Sequence, residues 1–245
     1  MSEPAALYLV PVPLAEDARP EDSLPAPAIA RVRTLGDFVV ENAKSARRFL
    51  SACGHPGPIA SLRLSVLDEH TPGDDVDALL APLREGRDMA LLSEAGAPAV
   101  ADPGARLVAA AHAEGFRVVP LPGPSSILLA LMASGLEGQR FRFAGYLPVA
   151  GPERVAAIRE LESRSATARE TQVFIETPYR NDALLAELLR TCREDTRLAV
   201  ATELTGAAES IRSASVGEWR SRPAPPPGKR PAIFLLLAAS RAAKR

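Results

Sequence analysis

Residues Leu91 to Gly104 read LLSEAGAPAVADPG. An apolar run stops at Ser93 and gives way to small residues, two prolines, two glycines and two acids. In an open α/β sheet, ligands bind in the loops that follow the strands. Gly96 lets the backbone turn and approach a ligand, Ala95 and Ala97 keep that approach clear, and Pro98 fixes the exit. The other reading is an ordinary strand-to-helix connection. Asp102 in the following DPG is turn chemistry, able to cap a helix starting near Ala105, and a structural role suits it better. A second stretch, PLPGPSS from Pro120 to Ser126, keeps few backbone donors because proline has no N–H. The amides of Gly123, Ser125 and Ser126 remain, with two hydroxyls at a helix start. That set fits a polar small molecule or a stiff hinge, and the two are compatible.

The elements around these stretches alternate at short spacing. ALYLVPV, DFVVEN, LRLSVL, MALLSE and FRVVPL read as strands, and AKSARRFLSACG, GDDVDALLAPLREGRD and GARLVAAAHAEG as helices between them. This alternation predicts a parallel sheet with helices on its faces. The proline- and acid-rich stretch Pro13–Pro27 reads as an exposed irregular loop. After ILLALMASG, the second half carries RFRFAGYL, TQVFIE, RLAVATEL, ESIRSASV and AIFLLLAA as strands, with helices GPERVAAIRELESRS and NDALLAELLRTC among them. Strands adjacent without helices predict a mixed sheet. The expectation is two α/β domains, 1–119 with the parallel sheet and 120–245 with the mixed sheet, and a ligand cleft between them.

The 245 residues are 47% hydrophobic and 4% aromatic, so the core is built on Ala, Leu and Val. A net charge of -1 excludes a global basic field that would steer the chain onto nucleic acid. The basic clusters Lys44–Arg48, Gly228–Arg230 and the tail RAAKR read as solvated faces. Cys53 and Cys192 are in no metal or redox spacing, and two buried thiols suit a reducing compartment. The three histidines are scattered, and no metal site is readable. P-loop, G-x-G-x-x-G, H-E-x-x-H and G-x-S-x-G patterns are absent from the sequence. No leader-like segment opens the chain, and no apolar stretch approaches the roughly 20 residues that span a bilayer. The expectation is a cytoplasmic chain with neither membrane nor DNA as partner.

The long block from Met89 to Pro148, ALLSEAGAPAVADPGARLVAAAHAEGFRVVPLPGPSSILLALMASGL followed by FRFAGYLP, resembles the tetrapyrrole (corrin/porphyrin) methylase superfamily. Within it the match is to the branch of ribosomal RNA small subunit methyltransferase I. The resemblance continues more weakly through FIETPYR, TELT and KRPAIFLLL and back to ALYLVPVPL. It implies a tetrapyrrole methylase-like fold and S-adenosylmethionine as cofactor. It implies a homodimer acting on a ribose 2′-hydroxyl of ribosomal RNA in the small ribosomal subunit. It assigns cofactor contacts to Ser93, Glu94, Ala95, Gly96, Pro98, Ser125 and Ser126, and to Met132, Tyr146, Pro231 and Ala232 in the second half. Glu41, Lys44 and Arg180 are the candidates for work on the methyl acceptor.

The sequence departs from that branch mainly on the acceptor side. The loop after the first strand lacks the branch's glycine and asparagine. AEDTR becomes VENAK: Glu41 is kept, while Asn42, Ala43 and Lys44 replace Asp, Thr and Arg. GTP becomes GAP with Ala97, ELTK becomes ELTG with Gly206, and KGE becomes KRP at Lys229–Pro231. Lys44 keeps a positive charge without the bidentate fork of arginine. Two other readings therefore stay open: a divergent paralogue that binds the cofactor without methylating RNA, and a small-molecule methylase.

Overall fold

A computed structural model describes residues 5–68, 70–149 and 151–240. The basic tail Arg241–Arg245 lies outside them. The chain divides into two compact units between Ser125 and Ser126. That division falls later than residue 119, because Pro120 still pairs with Leu9 in the first sheet.

The first unit runs β1 (Ala6–Val10), α1 (Pro20–Ser23), α2 (Ala26–Val32), β2 (Asp37–Val40), α3 (Ala43–Ala52), β3 (Arg63–Val66), α4 (Gly73–Ala78), α5 (Ala81–Arg84), β4 (Met89–Leu92), α6 (Gly104–Ala113) and β5 (Arg117–Pro120). Its five strands lie in the order β3-β2-β4-β1-β5, and every pairing is parallel. Strand residues alternate between two cores. Tyr8, Val10, Phe38, Val40, Ala90 and Leu92 pack with residues of α2 and α3 on one face. Leu7, Val39, Met89 and Leu91 pack with residues of α4 to α6 on the other. Burial on both faces explains why these strands read as unbroken apolar runs. β2 sends the chain outward to β3, whereas its neighbour β4 sends it across β1 to β5. The carboxyl ends of β2 and β4 therefore flank a topological switch point, where open α/β sheets bind ligands.

Three local expectations are corrected. Pro13–Pro27 is not all loop: Pro20 sits at the start of α1, with Glu21 and Asp22 in its first turn, and α2 begins at Ala26. GDDVDALLAPLREGRD is two short helices, with Pro82 in the first turn of the second. ESIRSASV ends as a strand at Ser215, whose side chain caps a further helix in a box with Glu218.

The second unit runs α7 (Ser126–Ser134), β6 (Phe141–Tyr146), α8 (Gly151–Ala168), β7 (Thr171–Ile175), α9 (Asn181–Thr191), β8 (Arg197–Thr202), β9 (Ser210–Ser215), α10 (Val216–Ser221) and β10 (Ala232–Leu237). Its sheet has the order β6-β7-β10-β8-β9, with β6 and β7 parallel and the other pairings antiparallel. Ile158, Leu161, Leu184, Leu188 and Trp219 cover Phe174, Leu198, Phe234 and Leu236 on one face. The fold is α/β with one all-parallel and one mixed sheet. Cys53 and Cys192 are buried and free, and burial pushes both thiols up to about 12, so neither is a nucleophile at neutral pH. Among the described residues no helix is long and apolar enough to cross a membrane, and no cluster of His, Cys, Asp or Glu is arranged to hold a metal ion.

Candidate cofactor site at the strand ends

Three loops meet at the carboxyl end of the parallel sheet. Val12, two residues beyond β1, forms an isolated antiparallel bridge with Gly96, two residues past Glu94. The Val12 amide donates to the Gly96 carbonyl at 2.9 Å, and the Gly96 amide to the Val12 carbonyl at 2.8 Å. Gly96 has φ +77°, and a Cβ built there would lie 3.2 Å from Leu14 Cδ2 and 3.8 Å from the Pro124 carbonyl oxygen. The loop after β5 thus passes beside the loop after β4. Gly123 rests on Pro11, where a Cβ would come within 2.5 Å of the ring. Close packing, rather than ligand approach, demands glycine there.

Inside the β4 loop, the buried Ser93 hydroxyl donates to the Gly96 carbonyl at 2.9 Å and closes the turn. The Glu94 amide donates to Glu41 Oε2 at 3.1 Å. Gly96 and Ser93 therefore shape the loop with their polar groups already engaged. The amides of Ala95 and Ala97 have no hydrogen-bond acceptor among the described residues, and Ala95 carries only a methyl on its exposed side. Two open N–H groups on a small-residue turn at the switch point fit a polar cofactor held by backbone. Beyond Pro98, Ala99 and Ala101 adopt left-handed φ of 64° and 61°. Asp102 holds this strained segment: its Oδ1 accepts from the Ala99 amide at 2.8 Å and from the Gly104 amide at 2.7 Å, at the first residue of α6. Its structural role is as the sequence suggested.

Glu41 and the β4 loop come together in this unit through the Glu94 amide. Glu41 follows β2 and is half-buried, and burial raises its carboxyl above the usual range. The neighbouring Asp102 and Glu94 charges push the same way, and the Glu94 amide opposes them. Burial also raises Asp102, against its two amide donors. Asn42 caps α3, its Oδ1 accepting from Lys44 and Ser45 amides at 2.9 and 3.3 Å. Lys44 is exposed in the first turn of α3. Ser125 ends the first unit and Ser126 opens α7 in the second.

In the second unit, the weaker motifs converge on one end of the mixed sheet. Tyr146 pairs with Ile175, Ile175 with Ile233, and Ala232 with Thr202. The turns after β7 and β8 and the entry to β10 thus share that end, and the Glu203 amide donates to the Pro231 carbonyl at 3.1 Å. Tyr146 is exposed, Pro231 is exposed and Ala232 is buried. Met132 stands out from α7 with 79% of its surface exposed. Arg180 binds Glu176, through Nε at 2.9 Å and Nη2 at 2.7 Å. The Thr177 amide adds a donor to the same carboxyl oxygen at 2.7 Å. Burial would raise Glu176, but the Arg180 and Thr177 bonds and the Arg180 charge outweigh it and hold the carboxyl below its usual range. The sequence reading picked out Arg180 and passed over Glu176. The signal was present: an acid at a strand end, four residues before an arginine.

A family model described as Tetrapyrrole (Corrin/Porphyrin) Methylases matches residues 25–219. The chain belongs to this methylase family. Ribosomal RNA small subunit methyltransferase I of Mesorhizobium japonicum is 35% identical over 211 residues, 86% of this chain and 67% of the relative. The protein of the same name from Escherichia coli O157:H7 is 32% identical over 212 residues, 86% and 70% of the respective chains. Among solved structures, the methyltransferase CobJ matches with a TM-score of 0.61 at 20% identity, covering 100% of this chain and 97% of its own. Uroporphyrin-III-C-methyltransferase from Thermus thermophilus matches at 0.52 and 22% identity, covering 95% and 92%. The structural likenesses establish the fold. The methylase is an S-adenosylmethionine-dependent methyltransferase.

Proposed function

We propose that the chain methylates a ribose 2′-hydroxyl of small-subunit ribosomal RNA, with the strand-end loops of the first unit holding S-adenosylmethionine. The observation that carries the cofactor half is the meeting of the three loops around Gly96, which leaves the Ala95 and Ala97 amides open at the switch point. The acceptor half is supported by the relatives, whose name specifies small-subunit ribosomal RNA and whose match extends over 86% of this chain.

The cofactor supplies an activated methyl group. The chain's own task is then to position two reactants and manage one proton. Glu41 fits the second task. One of its oxygens is fixed by the Glu94 amide, and burial raises its proton affinity toward that of a usable base. The reading also makes the chain a homodimer, which light scattering checks.

The test is incorporation of labelled methyl from S-adenosylmethionine into small ribosomal subunits from a strain lacking the resident ribose methylase. Digestion to nucleosides should yield a labelled 2′-O-methyl nucleoside. Label on a base, or none at all with a cofactor that still binds, overturns the ribose reading and favours a small-molecule acceptor or a binding role. Glu41→Gln keeps the acceptor for the Glu94 amide and removes the base. It should lower kcat roughly 10²-fold or more while S-adenosylmethionine affinity holds.

A further inference from the structure

The second unit holds a cavity of about 230 Å³ whose lining chemistry the reading above does not use. Its floor is a patch of β8 and β9 in which Thr202 pairs with Ser210, and Arg212 lies two residues further along β9 on the same face. Trp219 of α10 lines it too, as do Pro227 and Arg230 ahead of β10.

The two arginines have no carboxylate to answer. The Arg212 guanidinium lies 4.0 Å over the Trp219 ring, and its Nη2 donates to the Arg222 carbonyl at 2.5 Å. Arg230 donates through Nε to the Pro227 carbonyl at 2.7 Å and through Nη2 to the Pro226 carbonyl at 3.2 Å. Among the described residues neither forms an ion pair, unlike Arg180, Arg190, Arg193 and Arg220 in the same unit. Neutral carbonyls orient both forks and leave both charges uncompensated. Nε and Nη1 of Arg212 and Nη1 of Arg230 have no protein acceptor among the described residues. The lining contains no acid, histidine or cysteine, which excludes a cation. An oriented pair of guanidinium forks matches phosphate oxygens. The volume falls below the roughly 300 Å³ at which pockets for whole small molecules begin, and so suits one phosphate rather than a complete nucleotide.

We propose that this cavity is a phosphate subsite that grips a backbone phosphodiester of the RNA acceptor; it rests on the RNA reading above. The excess of basic residues in this unit, 18 against 13 acidic, favours a polyanion over a lone anion.

Trp219 is the only tryptophan of the chain, so its fluorescence reports on the cavity directly. Titrating the full chain with a short single-stranded RNA should change the emission saturably, and inorganic phosphate should compete. Arg230→Gln should weaken RNA binding about tenfold and reduce the slope of log affinity against log salt by about one. Arg230→Lys should recover the slope but not the full affinity. Arg230 is the primary variant because Arg212→Gln also uncovers Trp219. RNA binding that leaves Trp219 unchanged, or wild-type affinity and salt slope in Arg230→Gln, overturns the subsite. So does a response to inorganic phosphate with none to RNA. Wild-type methylation of small subunits alongside an unaffected Arg230→Gln removes the subsite and leaves the RNA reading standing. An Arg230-dependent salt slope without any methylation supports the subsite and removes the methylation reading.

Discussion

Each unit ends a strand of its sheet with a glutamate, and the two carboxylates are driven in opposite directions. Glu41 after β2 is half-buried beside Asp102 and Glu94, and it lies above the usual range. Glu176 after β7 is more deeply buried, yet the Arg180 fork brings it below that range. Burial pushes both up; at Glu176 the Arg180 guanidinium and the Thr177 bonds reverse it, whereas Glu41 has one amide donor and two like charges beside it. The contrast extends to whole units. Up to Ser125 the chain has 17 acidic and 11 basic residues, and from Ser126 it has 13 and 18. A sulfonium cofactor is cationic and RNA is a polyanion. The acidic strand end suits the first, and the basic unit suits the second.

The largest expected effect tests the acidic end. Gly96→Val places a β-branched side chain at φ +77° and against Leu14, where the backbone disfavours it and the Val12 bridge must shift. S-adenosylmethionine affinity should fall by on the order of 100-fold in calorimetry, a figure equivalent to about 3 kcal/mol. Binding at wild-type strength would remove this loop from the cofactor site. Next is Asp102→Ala, which leaves the Ala99 and Gly104 amides without their acceptor. Denaturant unfolding should show a loss of about 2 kcal/mol, together with weaker cofactor binding as Ala99 and Ala101 lose their restraint. A loss in stability without any change in affinity would separate the strained segment from the site.

The parallel unit was more legible in the sequence than its neighbour, for a physical reason. β1, β2 and β4 are buried on both faces, so each reads as an apolar run, and the loops after them stand out by contrast. The strand order and the Val12–Gly96 bridge were not legible, because nothing local specifies which distant residue an amide will meet. In α1 and α2 the many prolines masked helix starts, although Pro20 followed by Glu21 and Asp22 is a start signal. In α10 the alternating pattern of β9 ran on to Val216 and hid the Ser215–Glu218 capping box. At the site, the small residues of the β4 loop were visible, whereas the internal bonds of Ser93 and Gly96 depend on tertiary contacts.

Arg180→Ala removes the cation that separates the second carboxylate from the first. With Arg180 present, Glu176 contributes stability that is complete above its unfolded pKa and is lost as pH falls through its folded value. Without the guanidinium, burial is opposed only by the Thr177 bonds, so the folded pKa should rise and the variant should lose less stability than wild type as pH falls. Unfolding midpoints measured from acid to neutral pH check this, and adding Glu176→Gln to the variant should flatten the profile. Parallel profiles for wild type and Arg180→Ala would mean that the pair does not set the Glu176 proton affinity.

The smallest effect is at Glu41. Its folded pKa is raised, so its stabilising contribution is complete below the unfolded pKa and is lost as pH rises through the folded value. Glu41→Gln removes that loss. Relative to wild type, the variant should gain stability as pH rises through the carboxylate range toward neutrality. The gain should stay on the order of 0.5 kcal/mol, because the half-exposed group is screened by solvent. The value of this measurement lies in its pairing with turnover. A variant slightly more stable at neutral pH, and much slower with cofactor affinity intact, has a carboxylate kept ionisable at a cost to the fold. A variant equally active would make Glu41 only the anchor of the Glu94 amide, and the acidic end a place for the cofactor without a base of its own.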